Sequence, residues 1–320
     1  MSEEGRGTPS SAGATTKVLF ILGTTRSGST ILENVLGSVP SFFAAGEIHM
    51  LWRGMMRGFR CGCGAEIGDC EIWPRILAAA GSPADPGEVY RWQLDEVRMF
   101  HTPRLLRTRG WPTTGRPSLD RYVALLRRLY PQIARVGGAD LIIDSSKTPA
   151  AAVILNNLDE IDLYVLHLVR DPRGVAYSWV RGRPAGAGAH GPRDYEPGSV
   201  RTSGRWISTN LLGDAVRRRL PPERSMVVRY EDFVSRPRAT VASIVRFVGH
   251  EDAALPFLTE QVAALEPNHC VSGNRSRFAR GEVELRLDDE WKVRRSPSQA
   301  TVTAMTAPWL HRYGYKVGTS

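Results

Sequence analysis

The 320-residue sequence has no apolar run near the roughly 18 residues that a membrane-spanning helix needs. Residues 1–16 are polar, rich in glycine, serine and threonine, and lack the apolar core of a secretory signal peptide. We therefore expect residues 1–16 to form a disordered tail, and we expect a protein without a membrane span and with a cytoplasmic location.

Lysine is scarce, with four lysines against 38 arginines and a formal net charge of +9 at pH 7. This excess of positive charge indicates an anionic ligand, an acidic partner or a membrane surface. The arginines are spread along the chain, and the basic run at 217–219 is typical of a solvated helix face. Because no basic run with interleaved aromatic residues stands out, we expect no nucleic-acid partner.

Cysteine is also scarce, but three of the four cysteines lie close together. Cys61, Cys63 and Cys70 contain no C-x₂-C pair of the kind found in many structural zinc sites. A zinc site would need a fourth ligand, and the candidates are His49, His269 or Cys270. We favour free thiols in a packed loop over this zinc site, and we expect no metal.

The stretch from Lys17 to Leu36 combines an apolar run, a small polar turn and an amphipathic segment. Residues 18–22 have the length of a buried parallel strand, and Thr30 with Glu33 fits a capping box at the start of a helix. A strand, a tight loop and a helix N-terminus bring backbone N–H groups together, which favours a bound phosphate. The pattern predicts an anion cradle, and its alternative is an ordinary strand-to-helix turn.

The predicted cradle has Arg26 but lacks the Gly-Lys-Ser/Thr ending of nucleotide-hydrolysing P-loops. In those enzymes the lysine reaches the β- and γ-phosphates, and the hydroxyl holds Mg²⁺. A P-loop kinase that uses ATP and Mg²⁺ is therefore the second interpretation, and the missing lysine argues against it.

Further short apolar runs predict strands at 41–45, 141–143, 163–169 and 225–228. Helical patterns separate them, so we expect an α/β protein with a central parallel sheet flanked by helices. Polar clusters follow the core strands, at the sheet edge where ligands bind in such folds.

We interpret residues 17–320 as one domain with two additions to the sheet. A helical insertion at about 48–137 is a candidate acceptor-binding lobe, and a loop rich in glycine, proline and alanine at about 182–198 is a candidate mobile lid.

A second phosphate site is predicted where the run at 163–169 ends. Asp171 suits a helix N-cap and Pro172 the first helical position. Arg170 at the strand end and Ser178, two turns along the helix, can grip one phosphate from two sides. A single nucleotide with phosphates at two distant positions would occupy both sites.

These motifs together resemble the sulfotransferases that use 3′-phosphoadenosine 5′-phosphosulfate (PAPS). The cradle resembles the family's 5′-phosphosulfate loop, and its residues are Thr25, Arg26, Ser27, Gly28, Ser29 and Thr30. Arg170 and Ser178 resemble the family's 3′-phosphate motif, and Tyr230 resembles the tyrosine that reaches the adenine. The resemblance implies a P-loop NTPase-like sulfotransferase fold.

The run Phe278-Ala279-Arg280-Gly281 resembles the family's late Arg-Lys-Gly loop on the 3′-phosphate. Ala279 stands where that arginine would be, so the resemblance leaves Arg277 or Arg280, together with Gly281, as the cofactor contacts.

The resemblance also implies catalytic residues. Counting from Arg26 without gaps places Glu47 at the base of the tyrosylprotein branch, and His49 is the rival because the cytosolic branch uses a histidine. Lys147 resembles the lysine that contacts the leaving 5′-phosphate, and we expect it to approach the bridging oxygen from the side opposite Glu47. The chain is nearer the branch with the glutamate base.

The implied activity is transfer of a sulfonate from PAPS to a hydroxyl of a small-molecule, glycan or lipid acceptor, without a metal. A third interpretation is a non-catalytic module that binds the nucleotide and turns nothing over. The family's cytosolic dimerisation motif, Lys-x₃-Thr-Val-x₃-Glu, is not met around Thr301-Val302, which leaves the oligomeric state open.

Overall fold

Five parallel strands form the centre of the protein. The computed structural model describes residues 15–108, 114–181, 198–294 and 297–318. The strands are β1 (Thr16–Gly23), β2 (Phe42–Gly46), β3 (Leu141–Lys147), β4 (Ile161–Val169) and β5 (Ser225–Arg229). They lie in the order β2-β3-β1-β4-β5, and each neighbouring pair is parallel. All five therefore end at the same edge of the sheet.

Helices cover both faces of this sheet. Those outside the predicted insertion are α1 (Ser29–Gly37), α7 (Pro149–Asn156), α8 (Pro172–Arg181), α9 (Ser199–Arg217), α10 (Tyr230–Ser235), α11 (Pro237–Phe247), α12 (Glu290–Val293) and α13 (Pro297–Leu310). Those inside it are α2 (Leu51–Met56), α3 (Trp73–Ala79), α4 (Pro86–Glu96), α5 (Thr102–Leu105) and α6 (Pro117–Gly137). Among the described residues, no helix is both long and apolar enough to cross a membrane.

Strand β1 divides the core into two parts because its side chains alternate between the faces of the sheet. Phe20 and Leu22 pack into a core shared with the insertion helices and α7. Leu19 and Ile21 pack into a second core with α1, α10 and α11. Residues 18–22 are fully buried. Burial on both faces explains why the central strand is a continuous apolar run.

The structure confirms the predicted fold class: a parallel α/β sheet flanked by helices, with a helical insertion between β2 and β3. An antiparallel pair, β6 (Val262–Leu265) with β7 (Gly281–Glu284), lies outside the predicted elements. Thr16, assigned to the predicted tail, begins β1. Residues 1–14 of that tail and 182–197 of the predicted lid lie outside the described residues.

Candidate active site

The predicted cradle lies between the end of β1 at Gly23 and the start of α1 at Ser29. Gly28 is the N-cap of α1 with φ 88°, a conformation that glycine adopts without strain. A Cβ atom on Gly28 would lie 2.4 Å from the ring of Tyr230. The loop can therefore pack against this aromatic ring only with glycine here. Arg26 has φ 70°, and such strained backbone is common at functional sites.

Hydrogen bonds join the two predicted phosphate sites. The Arg26 guanidinium donates to the carbonyl of Ser178 at 2.7 Å (Nη2) and to its hydroxyl at 3.3 Å (Nε). Arg170 Nη1 in turn donates to the carbonyl of Arg26 at 3.0 Å. The end of β4 and the second half of α8 thus place residues of both sites in the wall of one pocket.

Arg170 is buried and already has two partners besides the cradle. Its Nη2 forms an ion pair with Asp288 at 3.0 Å, and its guanidinium lies 4.3 Å from the centre of the Tyr230 ring. The ion pair and the ring hold the planar guanidinium in a fixed orientation. A phosphate that binds Arg170 must share it with Asp288.

The first of two adjoining pockets, which we name the cradle cavity, has a volume of about 710 Å³. Most of the predicted cofactor-binding residues line it: Thr25, Arg26, Gly28, Ser29, Thr30, Arg170, Ser178 and Tyr230. Its wall also includes residues that sequence reasoning did not assign individually: Arg53, Arg57, Trp179, Arg205, Gly273, Asn274 and Asp288. No family motif marks these positions. The only local pattern among them is the basic sequence with two glycines at 268–281, which includes Gly273 and Asn274.

The second pocket, the insertion cavity, has a volume of about 670 Å³. Helix α4 contributes an aromatic and apolar wall to it through Tyr90 and Leu94, and α9 closes the other side. The residues shared by both cavities are Thr25, Glu47, His49, Met50, Arg53, Lys147 and Arg205. The three predicted catalytic residues therefore lie where the cavities meet.

Glu47 and Lys147 form an ion pair at this junction. Glu47 follows β2, Lys147 is the last residue of β3, and Lys147 Nζ lies 2.6 Å from Glu47 Oε1. The ammonium also donates to the carbonyl of Ser145 at 2.9 Å. Lys147 has φ 65°, a strained backbone conformation for a non-glycine residue. The prediction that Lys147 approaches from the side opposite Glu47 is wrong, because the parallel strands place the two side chains in contact.

His49 lies beside this ion pair on a short helical turn. Its backbone N–H donates to the hydroxyl of Ser146 at 3.1 Å. Within the described residues, its Nδ1 atom is buried without a hydrogen-bond partner. Burial lowers the pKa of the His49 imidazole to about 4, mainly by desolvation. His49 is therefore neutral near pH 7 and a weak base.

Four residues that were predicted to contact the cofactor lie outside the walls of the two cavities. Within the described part of the chain, Ser27, Arg277, Arg280 and Gly281 do not line either cavity. Arg277 Nη1 donates to the carbonyl of Gly273 at 2.7 Å, and Arg280 Nη2 donates to the carbonyl of Gly62 at 3.2 Å. Both arginines thus bind backbone carbonyls, and their contact with a nucleotide stays a prediction.

The predicted capping box of Thr30 and Glu33 is wrong. Glu33 is fully buried, and its carboxyl group accepts the Gly46 N–H at 2.6 Å and bonds the Ser145 hydroxyl at 2.6 Å. Gly46 directly precedes Glu47, and Ser145 lies two residues before Lys147. Glu33 therefore bonds the ends of both strands that position the ion pair. Desolvation raises the pKa of the Glu33 carboxyl from 4.5 to about 8.

The raised pKa of Glu33 predicts a pH-dependent stability. Because the folded pKa lies above the unfolded value, its contribution is complete below pH 4.5 and is lost as pH rises to about 8. We expect Glu33→Gln, which imitates the protonated carboxyl group, to remove this fall in the free energy of unfolding. Urea unfolding at several pH values between 4.5 and about 8 measures the free energy of unfolding. Glu251→Gln, at an exposed position, serves as the control. A Glu33→Gln protein with the wild-type pH profile would contradict the assignment.

Comparisons with known proteins agree with this architecture. A family model described as "Sulfotransferase family" matches residues 19–254. The solved structure of the sulfotransferase domain from the curacin biosynthetic pathway is 18% identical, with a TM-score of 0.51 over 96% of this chain and 100% of that one. The sulfotransferase domain from the Synechococcus PCC 7002 olefin synthase is 19% identical, with a TM-score of 0.51 over 98% and 99% of the two chains.

A comparison of the sequence with curated proteins finds no match. At these identities the two structural likenesses show a shared fold, namely the P-loop-like sulfotransferase fold. The family model spans most of the sequence, from the second apolar residue of β1 to beyond α11. The chain therefore belongs to the sulfotransferase family.

Proposed function

We propose that the protein transfers a sulfonate group from PAPS to a hydroxyl group of a small-molecule, glycan or lipid acceptor. The observation that carries this proposal is the position of the Glu47–Lys147 ion pair where the two cavities meet. The predicted phosphate cradle lines one cavity, and the insertion contributes to the wall of the other. A group passing between donor and acceptor would pass this pair.

The cradle cavity fits a nucleotide with phosphates at both ends of its ribose. Backbone N–H groups at the start of α1 suit the 5′-phosphosulfate, and Arg170 with Ser178 suits the 3′-phosphate. Tyr230 lies between these sites against Gly28 and Arg170, where its ring can contact the nucleoside. The cradle lacks a lysine, which disfavours the kinase alternative.

In the proposed reaction the acceptor hydroxyl oxygen attacks sulfur, and the bond from sulfur to the 5′-phosphate oxygen breaks. Glu47 takes the hydroxyl proton, and adenosine 3′,5′-bisphosphate leaves with the bonding electron pair. Glu47 becomes neutral as it accepts the proton, which weakens its attraction for Lys147. The ammonium can then stabilise the negative charge that grows on the leaving oxygen.

The lining of the insertion cavity favours an acceptor that carries negative charge on an apolar body. Arg98, Arg201 and Arg205 line it beside the apolar side chains of Leu94 and Val97. Arginines at the wall attract anionic groups, and the apolar residues favour a hydrocarbon or ring surface. We therefore propose an acidic acceptor within the broader acceptor class.

Incubation of the protein with PAPS and a metabolite extract tests the function. We expect a product that is heavier than its acceptor by one sulfonate group, detected by mass spectrometry, and we expect acidic acceptors to dominate. Nucleotide binding without any product would favour the non-catalytic module. A product that appears only with ATP and Mg²⁺ would favour the kinase.

Turnover should not depend on added divalent ions. Sulfonate carries less negative charge than a transferring γ-phosphate, and the cradle lacks the Lys-Ser/Thr ending that partners Mg²⁺. We expect equal initial rates with and without Mg²⁺, and a rate that survives brief exposure to EDTA. Loss of activity that only Mg²⁺ restores would contradict the proposed reaction.

A further inference from the structure

Three cysteines and a histidine converge on one point outside the two cavities. The ligand-capable atoms of Cys61, Cys63, Cys70 and His269 all lie within 4.8 Å of one another. Cys63 Sγ is 3.9 Å from Cys70 Sγ, and His269 Nδ1 is 3.3 Å from Cys70 Sγ and 3.9 Å from Cys61 Sγ. The histidine comes from a segment about 200 residues later in the chain.

These three distances are close to the edges of a tetrahedral zinc site, and the other three do not exceed 4.8 Å. Bonds of about 2.3 Å to sulfur and about 2.0 Å to nitrogen place sulfur ligands about 3.8 Å apart, and sulfur about 3.5 Å from nitrogen. A hydrogen bond between two thiols would bring only two of these groups together. Here the ligand-capable atoms of all four side chains converge on one point. Three cysteines with one histidine are a common structural zinc set.

The surroundings of the cluster hold its ligands in place. Cys61 and Cys70 are buried. The Trp73 indole donates to the carbonyl of His269 at 2.7 Å, and the Phe43 ring lies parallel to the imidazole at 6.3 Å. A carboxylate oxygen of Glu71 lies 3.6 Å from His269 Nε2. When Nδ1 binds a metal, Nε2 carries the proton, and a nearby carboxylate favours that tautomer electrostatically, although 3.6 Å is too long for a hydrogen bond.

We propose that Cys61, Cys63, Cys70 and His269 bind one structural zinc ion. This proposal replaces the expectation of free thiols, and it selects His269 among the three candidate fourth ligands. His49 lies instead at the junction of the cavities, and the Cys270 thiol points away towards the Ala44 carbonyl at 3.6 Å. On binding, the thiols release their protons, and the ion is held by thiolates and a neutral imidazole.

The zinc ion would link the loop at 268–281, which carries His269, to the insertion, which carries the three cysteines. Next to the cluster, the Gly62 N–H donates to the carbonyl of Cys270 at 2.9 Å, and Arg277 Nη2 donates to the carbonyl of Arg60 at 3.3 Å. Further along the same loop, the Asn274 N–H donates to the hydroxyl of Thr30 in the cradle at 3.0 Å. The site therefore holds one wall of the cradle cavity in position.

Metal analysis of the intact, untagged protein tests the proposal directly. After expression with added zinc and dialysis against metal-free buffer, we expect about one zinc per chain. We expect Cys63→Ser to lose most of this zinc, and Cys270→Ser, which removes a buried thiol outside the cluster, to retain it. Wild-type protein that retains no zinc would overturn the proposal, as would a Cys63→Ser variant with undiminished zinc.

Two measurements on the unaltered sequence keep the test valid if Cys63→Ser fails to fold. Replacing zinc by Co²⁺ should give the intense visible absorption of a tetrahedral thiolate site. Denaturation in EDTA should release all four thiols of the chain, whereas two missing thiols would indicate a disulfide among the cysteines and contradict zinc binding. Neither measurement requires sulfonate transfer, so each is independent of the proposed function.

Discussion

Glu47→Gln should lower turnover by at least about a hundredfold, because a general base contributes typically 10²–10⁴-fold. Glutamine keeps the shape of the side chain and an oxygen that can accept from Lys147 Nζ, which now lies 2.6 Å from Glu47 Oε1. The fold and the nucleotide affinity should therefore persist. Single-turnover kinetics with PAPS, together with calorimetric binding of adenosine 3′,5′-bisphosphate, separate the two effects.

Two neighbouring substitutions serve as comparisons for Glu47→Gln. His49→Ala should lose much less activity, because the pKa of His49, lowered by burial to about 4, makes it a weak base. Lys147→Ala should slow turnover and should also weaken nucleotide binding, because it removes the positive charge at the junction. If His49→Ala is the inactive variant and Glu47→Gln turns over normally, the histidine is the base.

The sequence was sufficient for the central sheet and the cradle because both rest on local patterns. Residues 18–22 are apolar because β1 is buried on both faces, and a glycine-containing turn follows where α1 begins. Glu47 and Lys147 reach the same site because β2 and β3 are parallel neighbours. Alternation of strands and helices along the chain predicts a parallel sheet. In a parallel sheet the carboxyl ends of all strands lie at one edge, so the sequence alone predicts that Glu47 and Lys147 share that edge.

The errors concern side chains whose partners are distant in the chain. Thr30 and Glu33 have the spacing of a capping box, but Glu33 bonds Gly46 and Ser145, which lie 13 and 112 residues away. A buried carboxyl group must be satisfied wherever the fold supplies donors. Local spacing cannot identify donors that are distant in the chain. The spacing of Thr30 and Glu33 is therefore typical of a capping box, although Glu33 bonds the ends of β2 and β3.

The position of the loop at 268–281 also depends on partners that are distant in the chain. The resemblance leaves Arg277 or Arg280 as the phosphate contact, and in the structure they bond the carbonyls of Gly273 and Gly62, so this contact stays a prediction. The position of this loop depends on its docking against residues 60–63, more than 200 positions earlier. The four-residue strands β6 and β7 carry too short a pattern to indicate that docking.

Arg170→Ala should weaken binding of nucleotides that carry a 3′-phosphate by roughly ten- to a hundredfold, because a charge-assisted contact contributes about 1.5–3 kcal/mol. Calorimetry should compare adenosine 3′,5′-bisphosphate with adenosine 5′-monophosphate, which lacks the 3′-phosphate. The wild-type protein should prefer the bisphosphate strongly, and Arg170→Ala should lose most of that preference. The difference between ligands isolates the 3′-phosphate contact from any general loosening of the cavity.

Asp288→Asn provides the matched variant, because Asp288 forms an ion pair with Arg170 at 3.0 Å. Neutralising this carboxylate removes its repulsion of an incoming phosphate and leaves Arg170 in place over the Tyr230 ring. Affinity for the bisphosphate should therefore be kept or increased, while affinity for the monophosphate should change little. Equal wild-type affinity for the two nucleotides would show that Arg170 and Ser178 do not hold a 3′-phosphate, and the donor would then have to be reconsidered.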